Sequence, residues 1–225
     1  RPGQCRRIPR SLLRGSSLSL PSRGTSQVTI CSIDREHLEK HAAILGTGVK
    51  VQTAKQSKTG FSGSEDRYIH SIQFTRPKMI EDLRELGLTE RKSLTMRFPE
   101  VPEEFLRDFI RGCWDGDGSI FLEGSKRLVA GFVTGSLSFI QALRDQLSIR
   151  GFGRLTIQTR QPDDVKTKNP SYSFRISGNF AVRFCQFLYD DVPEGLLLSR
   201  KFLIYKNFAP NLTRLAIGRE TRRDD

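Results

Sequence analysis

The order of elements in residues 26–100 returns in residues 101–208, and an internal duplication of that kind leaves few folds open. In the first stretch, "SQVTICSID" alternates as a strand does, and "DREHLEKHAAILG" sets Leu38, Ala42 and Leu45 on one helical face before Gly46 ends it. "VKVQTAKQ" alternates again, "SKTGFSGSED" has the composition of a loop, and "RYIHSIQFT" is a further strand. "RPKMIEDLRELG" is a helix opened by Pro77 and closed by Gly87. The second stretch repeats the order: helix "FLRDFIRGCWDG", strands "SIFLEG" and "RLVAGFVTG", helix "SFIQALRDQLSIRG" and strand "GRLTIQTRQ". The turn "QPDDVKTKNP", strand "SYSFRIS" and helices "NFAVRFCQFLYDD" and "GLLLSRKFLIYKNF" complete it. Three matches keep the same order: Val51-Gln52-Thr53 with Ile157-Gln158-Thr159 at a shift of 106, Tyr68 with Tyr172 at 104, and Arg91-Lys92 with Arg200-Lys201 at 109. The expected fold is α+β, two αββαββα repeats related by pseudo-two-fold symmetry, and such symmetry suits a near-palindromic duplex.

The chain of 225 residues is strongly basic, with a formal net charge of +12. That charge bears on partners rather than on fold, and it points to a polyanion, nucleic acid before membrane. No apolar run reaches the length of a membrane span. Cys5, Cys31, Cys113 and Cys185 form no CxxC pair, which argues against a zinc knuckle or a disulfide framework and for free thiols in a reducing compartment.

Residues 1–33 contain six arginines, no lysine and no acid, with serines clustered at 16–26. An organelle transit peptide has that composition. Pro2, Pro9 and Pro21 argue against the helix such a peptide forms, so residues 1–25 read as a basic, disordered tail or remnant. The chain begins with Arg1 rather than Met, as a fragment does. The first repeat then spans 26–100, the second 101–208, and a charged tail 209–225.

The strongest chemical signal is "IRGCWDGDG", residues 110–118. Pro102 with Glu103 and Glu104 opens the helix favourably, and Phe105, Phe109, Gly112 and Gly116 line one face. A glycine inside a helix costs about 1 kcal/mol, so Gly112 and Gly116 suggest close approach of another helix. Asp115 and Asp117 sit at the carboxyl end, where exposed carbonyls disfavour negative charge and a divalent cation compensates. An EF-hand frame fails, because its two obligatory acid positions would be Cys113 and Gly124. A plain helix-to-strand turn is the remaining competitor.

This motif, with "FLRDF" before it and "SIF" after it, resembles that of the LAGLIDADG homing endonucleases, in the two-repeat single-chain form. The resemblance covers about residues 26–208. It implies a saddle of antiparallel sheets with the motif helices packed at the centre through small residues, here Gly112 and Gly116. It implies a metal, Mg²⁺ or Mn²⁺, held by the last acid of the motif, Asp117, beside Gly116. It implies assisting basic residues, best matched by Lys201 and, in the first half, Lys92. The implied activity is site-specific double-strand cleavage of DNA by a monomer at a long site. The implied setting is the cytoplasm near the nucleoid, or an organelle, with an intron or intein origin. No splicing block is visible, and the chain ends in "TRRDD".

Strand alternation supplies a DNA-binding face independently. Arg154, Gln158, Arg160 and Arg175 point away from Leu155, Ile157, Phe174 and Ile176. In the first half Lys50, Gln52 and Gln73 oppose Val49, Val51 and Ile72. Arginine, lysine and glutamine are the side chains that read base edges and phosphates. His37 and His41, four apart on a helix with no third ligand, read as a solvated face.

One part is missing. Subtracting about 105 from 117 lands near residue 12, in "RRIPRSLLRG", which has no acid. Three explanations stand: truncation within or after the first motif, loss of that motif to leave a non-catalytic binder such as a transcription regulator or an intron RNA maturase, or a helix supplied by a second chain.

Overall fold

The computed structural model describes residues 16–19, 27–46, 48–55, 68–87, 94–124, 126–162 and 169–208. The chain divides into two compact units, Arg1–Asp117 and Gly118–Asp225. The first holds strands β1 (Ser16–Ser19), β2 (Gln27–Ser32), β3 (Gln52–Lys55) and β4 (Tyr68–Phe74). It also holds helices α1 (Arg35–Leu45), α2 (Pro77–Glu85) and α3 (Glu103–Asp117). The second holds β5 (Gly118–Glu123), β6 (Arg127–Thr134), β7 (Gln158–Arg160) and β8 (Ser171–Ser177), with helices α4 (Leu137–Ile149) and α5 (Asn179–Tyr189). A 3₁₀ turn at Glu194–Leu196 and α6 over 199–208 complete it. Packing thus groups α3 with the first unit, whereas the repeat of elements assigns it to the second. No helix among the described residues is long and apolar enough to cross a membrane.

Each unit carries one four-stranded antiparallel sheet, ordered β1-β2-β4-β3 in the first and β5-β6-β8-β7 in the second. The two orders are the same, and so is the pairing. Ser17 faces Thr29 as Ser119 faces Gly131, and Val28 faces Phe74 as Ala130 faces Ile176. All of these correspond at a shift of 102. The helices keep that shift, α1 beginning at Arg35 and α4 at Leu137, α2 at Pro77 and α5 at Asn179. Only β3 and β7 differ, at 106, since Gln52 faces Ser71 as Gln158 faces Ser173. The 106 match read from sequence therefore holds. The match of Tyr68 with Tyr172 does not: Tyr172 faces Thr159 as His70 faces Thr53, so Tyr172 corresponds to His70. Arg91 and Lys92 lie outside the described residues.

The helices of each unit cover one face of its sheet. In the first, Val28, Ile30, Ile72 and Phe74 from the strands pack with Leu38 and Leu45 of α1 and Ile80 and Leu83 of α2. In the second, the Phe132 ring lies 6.1 Å from Phe139 and 6.4 Å from Phe174, joining β6, α4 and β8. Each such side chain contributes about 1.5–3 kcal/mol on burial. Period-two alternation puts every second strand residue into these cores and leaves its neighbours on the opposite face.

Three expectations change here. β1 lies inside 1–25, the stretch read as a tail, yet its backbone pairs with β2 at four positions. The strand expected over "GRLTIQTRQ" is paired only at Gln158–Arg160, so Arg154 precedes it. His37 and His41 are not solvated: they are 8% and 6% exposed, on the core-facing stripe with Leu38 and Leu45. Their rings meet edge to face at 4.3 Å, and His41 Nδ1 lies 2.6 Å from the His37 carbonyl. Among the described residues Cys31, Cys113 and Cys185 form no disulfide.

Candidate nucleic-acid interface and motif helix

α3 begins just after Pro102, whose carbonyl accepts from the Phe105 amide at 2.9 Å, with Glu103 and Glu104 in its first turn. Phe109 meets Phe98 edge to face at 5.0 Å. From Phe109 to Asp115 every residue is buried, so this stretch of the helix has no solvent face. Gly112 shares that burial. Gly116, expected beside it on the packing face, is exposed, because it lies in the last turn.

The two acids separate in environment. Asp115 is 4% exposed, whereas Asp117 is partly exposed. Asp117 ends the helix, and Gly118 begins β5 with no residue between them. Lys201 is 2% exposed and donates from Nζ to the Gly118 carbonyl at 2.6 Å. It is neither a solvated helix end nor a surface phosphate contact. Its ammonium fixes the backbone at the residue following Asp117. Lys92 lies outside the described residues.

Among the described residues no three His, Cys, Asp or Glu side chains converge as a metal cage. The donor set still fits Mg²⁺, which takes one or two carboxylates and fills its remaining positions with water and phosphate oxygens. Asp117, partly exposed at the negative end of a helix dipole, is the acid suited to it.

Pattern reading passed over Arg111, the second residue of the motif. It is 3% exposed and pairs through Nη2 with Asp108 at 2.8 Å, one turn earlier. The i, i+3 spacing of opposite charges was the available signal.

The sheet face opposite each core is polar. Arg154, Gln158, Arg160, Arg175, Lys50, Gln52 and Gln73 are all exposed. Five are grouped by register, Arg154 and Lys50 lying just before their strands: Gln52 with Ser71 and Gln73 with Thr29 in one sheet, Gln158 with Ser173 and Arg160 with Ser171 in the other, and Arg175 beside Gly131. The second sheet adds residues not assigned from sequence. Arg175 Nη1 lies 3.7 Å from Glu123, and its guanidinium sits 5.9 Å from the Phe121 ring centroid. Glu123 also pairs with Arg127 at 2.7 Å. Extending the parity of "SIFLEG" across the β5–β6 pairing would have found them, since Phe121 faces Val129 and Glu123 faces Arg127.

Residues 104–188 match the LAGLIDADG-like domain. Comparison with curated proteins gives no match. Solved structures share the fold across nearly the whole chain. One is the homing endonuclease I-WcaI bound to its DNA recognition sequence, with a TM-score of 0.59 at 12% identity, covering 88% of this chain and 85% of that one. A second is the meganuclease I-SmaMI bound to uncleaveable DNA, with a TM-score of 0.53 at 11% identity, covering 92% and 87%. A third is the N-terminal LAGLIDADG domain of DUF199/WhiA, with a TM-score of 0.51 at 10% identity, covering 85% and 83%.

Proposed function

Residues 104–188 match the LAGLIDADG-like domain, and on that premise we propose that the chain is a LAGLIDADG-type site-specific, metal-dependent endonuclease acting on double-stranded DNA. The observation that carries the reading is the pair of matched sheets, each with a core face and an opposite face bearing exposed Gln beside Ser, joined by Arg160 and Arg175 in the second, in a chain of net charge +12. Each outer face takes one stretch of a long duplex site, as a β-reader does in a major groove. The working form is a monomer with internal pseudo-two-fold symmetry.

Asp117 and the Gly116 backbone would hold a divalent ion. When bound, that ion lowers the pKa of a water nucleophile and neutralises charge on the phosphate. The chain's own residues orient. Lys201, bonded to the Gly118 carbonyl, fixes the backbone that bears Asp117. Lys92, outside the described residues, keeps the assisting role that the resemblance implies for the first half.

A second reading, a non-catalytic binder on the same scaffold, is favoured by one observation. The shift of 102 takes Asp117 to Gly15, which lies outside the described residues and is not an acid. One structural neighbour, the N-terminal LAGLIDADG domain of DUF199/WhiA, is not described as a nuclease.

The test is incubation of the purified chain with a randomised duplex library and Mg²⁺ or Mn²⁺, beside Asp117→Asn and an EDTA control. Cuts at one long site, absent from the variant and from EDTA while binding persists, support the endonuclease. Binding without cuts under every metal supports the second reading. Preference for structured RNA over duplex DNA would make that binder a maturase. Absence of binding to either would overturn both.

A further inference from the structure

The constant register makes the two sheets comparable residue by residue, and the comparison yields a partial base code. Gln73 on β4 and Arg175 on β8 occupy the same place, 102 apart, each exposed on the outer face of its sheet. Gln52 and Gln158 also occupy the same place, 106 apart, each exposed and each opposite a serine, Ser71 or Ser173. One pair is identical and one pair is not.

We propose that, within such a two-part target, the bases met by Gln52 and Gln158 are the same, adenine, in both halves. The base met by Gln73 is adenine, and that met by Arg175 is guanine. This rests on the reading above that the outer faces contact duplex DNA. Glutamine offers one donor and one acceptor, which match adenine N7 and N6, whereas arginine offers paired donors, which match guanine N7 and O6. Arg175 has neighbours on the sheet face, the Glu123 carboxylate at 3.7 Å and the Phe121 ring at 5.9 Å.

Selection of bound duplexes from a randomised library in EDTA reads binding alone. The wild-type consensus is expected to show matching adenines at one pair of symmetric positions and adenine against guanine at another. Gln73→Arg is expected to turn that adenine to guanine, changing the relative preference about tenfold or more and making the site more symmetric. Arg175→Gln is expected to do the reverse, and the double exchange to mirror the wild-type asymmetry. Both residues are exposed, and matching melting curves for wild type and variants show that folding is unchanged. A consensus symmetric at every position, or variants that keep the wild-type consensus, would overturn the base code and leave DNA binding standing. A wild-type pool with no enriched sequence would overturn the code together with the reading it rests on.

Discussion

His41 shows what a buried ring does to stability. It is 6% exposed beside His37, and burial holds its pKa below the ordinary 6.5, an effect only partly offset by its hydrogen bond to the His37 carbonyl. The folded chain therefore binds fewer protons at this site than the unfolded chain. Stability from it is level well above pH 6.5 and declines as pH falls below that value. The denaturation midpoint is expected to drop between about pH 7 and pH 5, and His41→Leu to shrink that drop, as urea titrations at both pH values would show. Sequence could not reveal this burial. Spacing put His37 and His41 on one helix face, and only packing of α1 on β2 and β4 decided that the face was the inner one. Lys201 is a parallel case. The resemblance offered it as an assisting basic residue, and its bond to the Gly118 carbonyl exists only because α6 returns to the start of β5.

Helix starts show how much one capping residue carries. The register equates Asp34 with Ser136 as the residues before α1 and α4. Ser136 Oγ accepts from the Phe139 amide at 3.3 Å, whereas Asp34 makes no side-chain cap bond. Ser136→Ala is expected to cost about 1 kcal/mol, and Asp34→Ala less, in paired thermal melts. Most elements were legible because their signals are local: period-two alternation in β4 and β8, Pro77 opening α2, Gly46 and Gly87 in left-handed geometry after α1 and α2. β1 was not legible. "SSLS" has neither β-branched residues nor a clear alternation, and it is a strand only because β2 offers it a partner. β7 was overread for the converse reason: alternation from Arg154 to Gln158 persists in burial without sheet pairing.

Across the whole molecule, charge sets how binding responds to salt. On the proposed function, a chain of net charge +12 would gain much of its affinity for DNA by releasing counterions from phosphate. With roughly six to ten phosphate contacts, affinity is expected to fall by about 10³ to 10⁵ between about 50 and 200 mM salt, and binding isotherms at several concentrations would give the slope. The duplication was visible in sequence as an order of elements, but its offset was blurred. The 106 match came from the one strand pair that departs from 102, and Tyr68 was aligned by identity rather than by place. The missing first acid was legible, and the register sharpens its place to Gly15. The direct passage from Asp117 to Gly118 carries one more consequence. One codon inserted there would turn the acid about a quarter of a circle on the helix or send the strand's side chains to the wrong face. The gene cannot drift in length at that point. Around β7 the two copies differ in length instead: the second has four more residues before the strand and four fewer after it, so that the common spacing returns by β8.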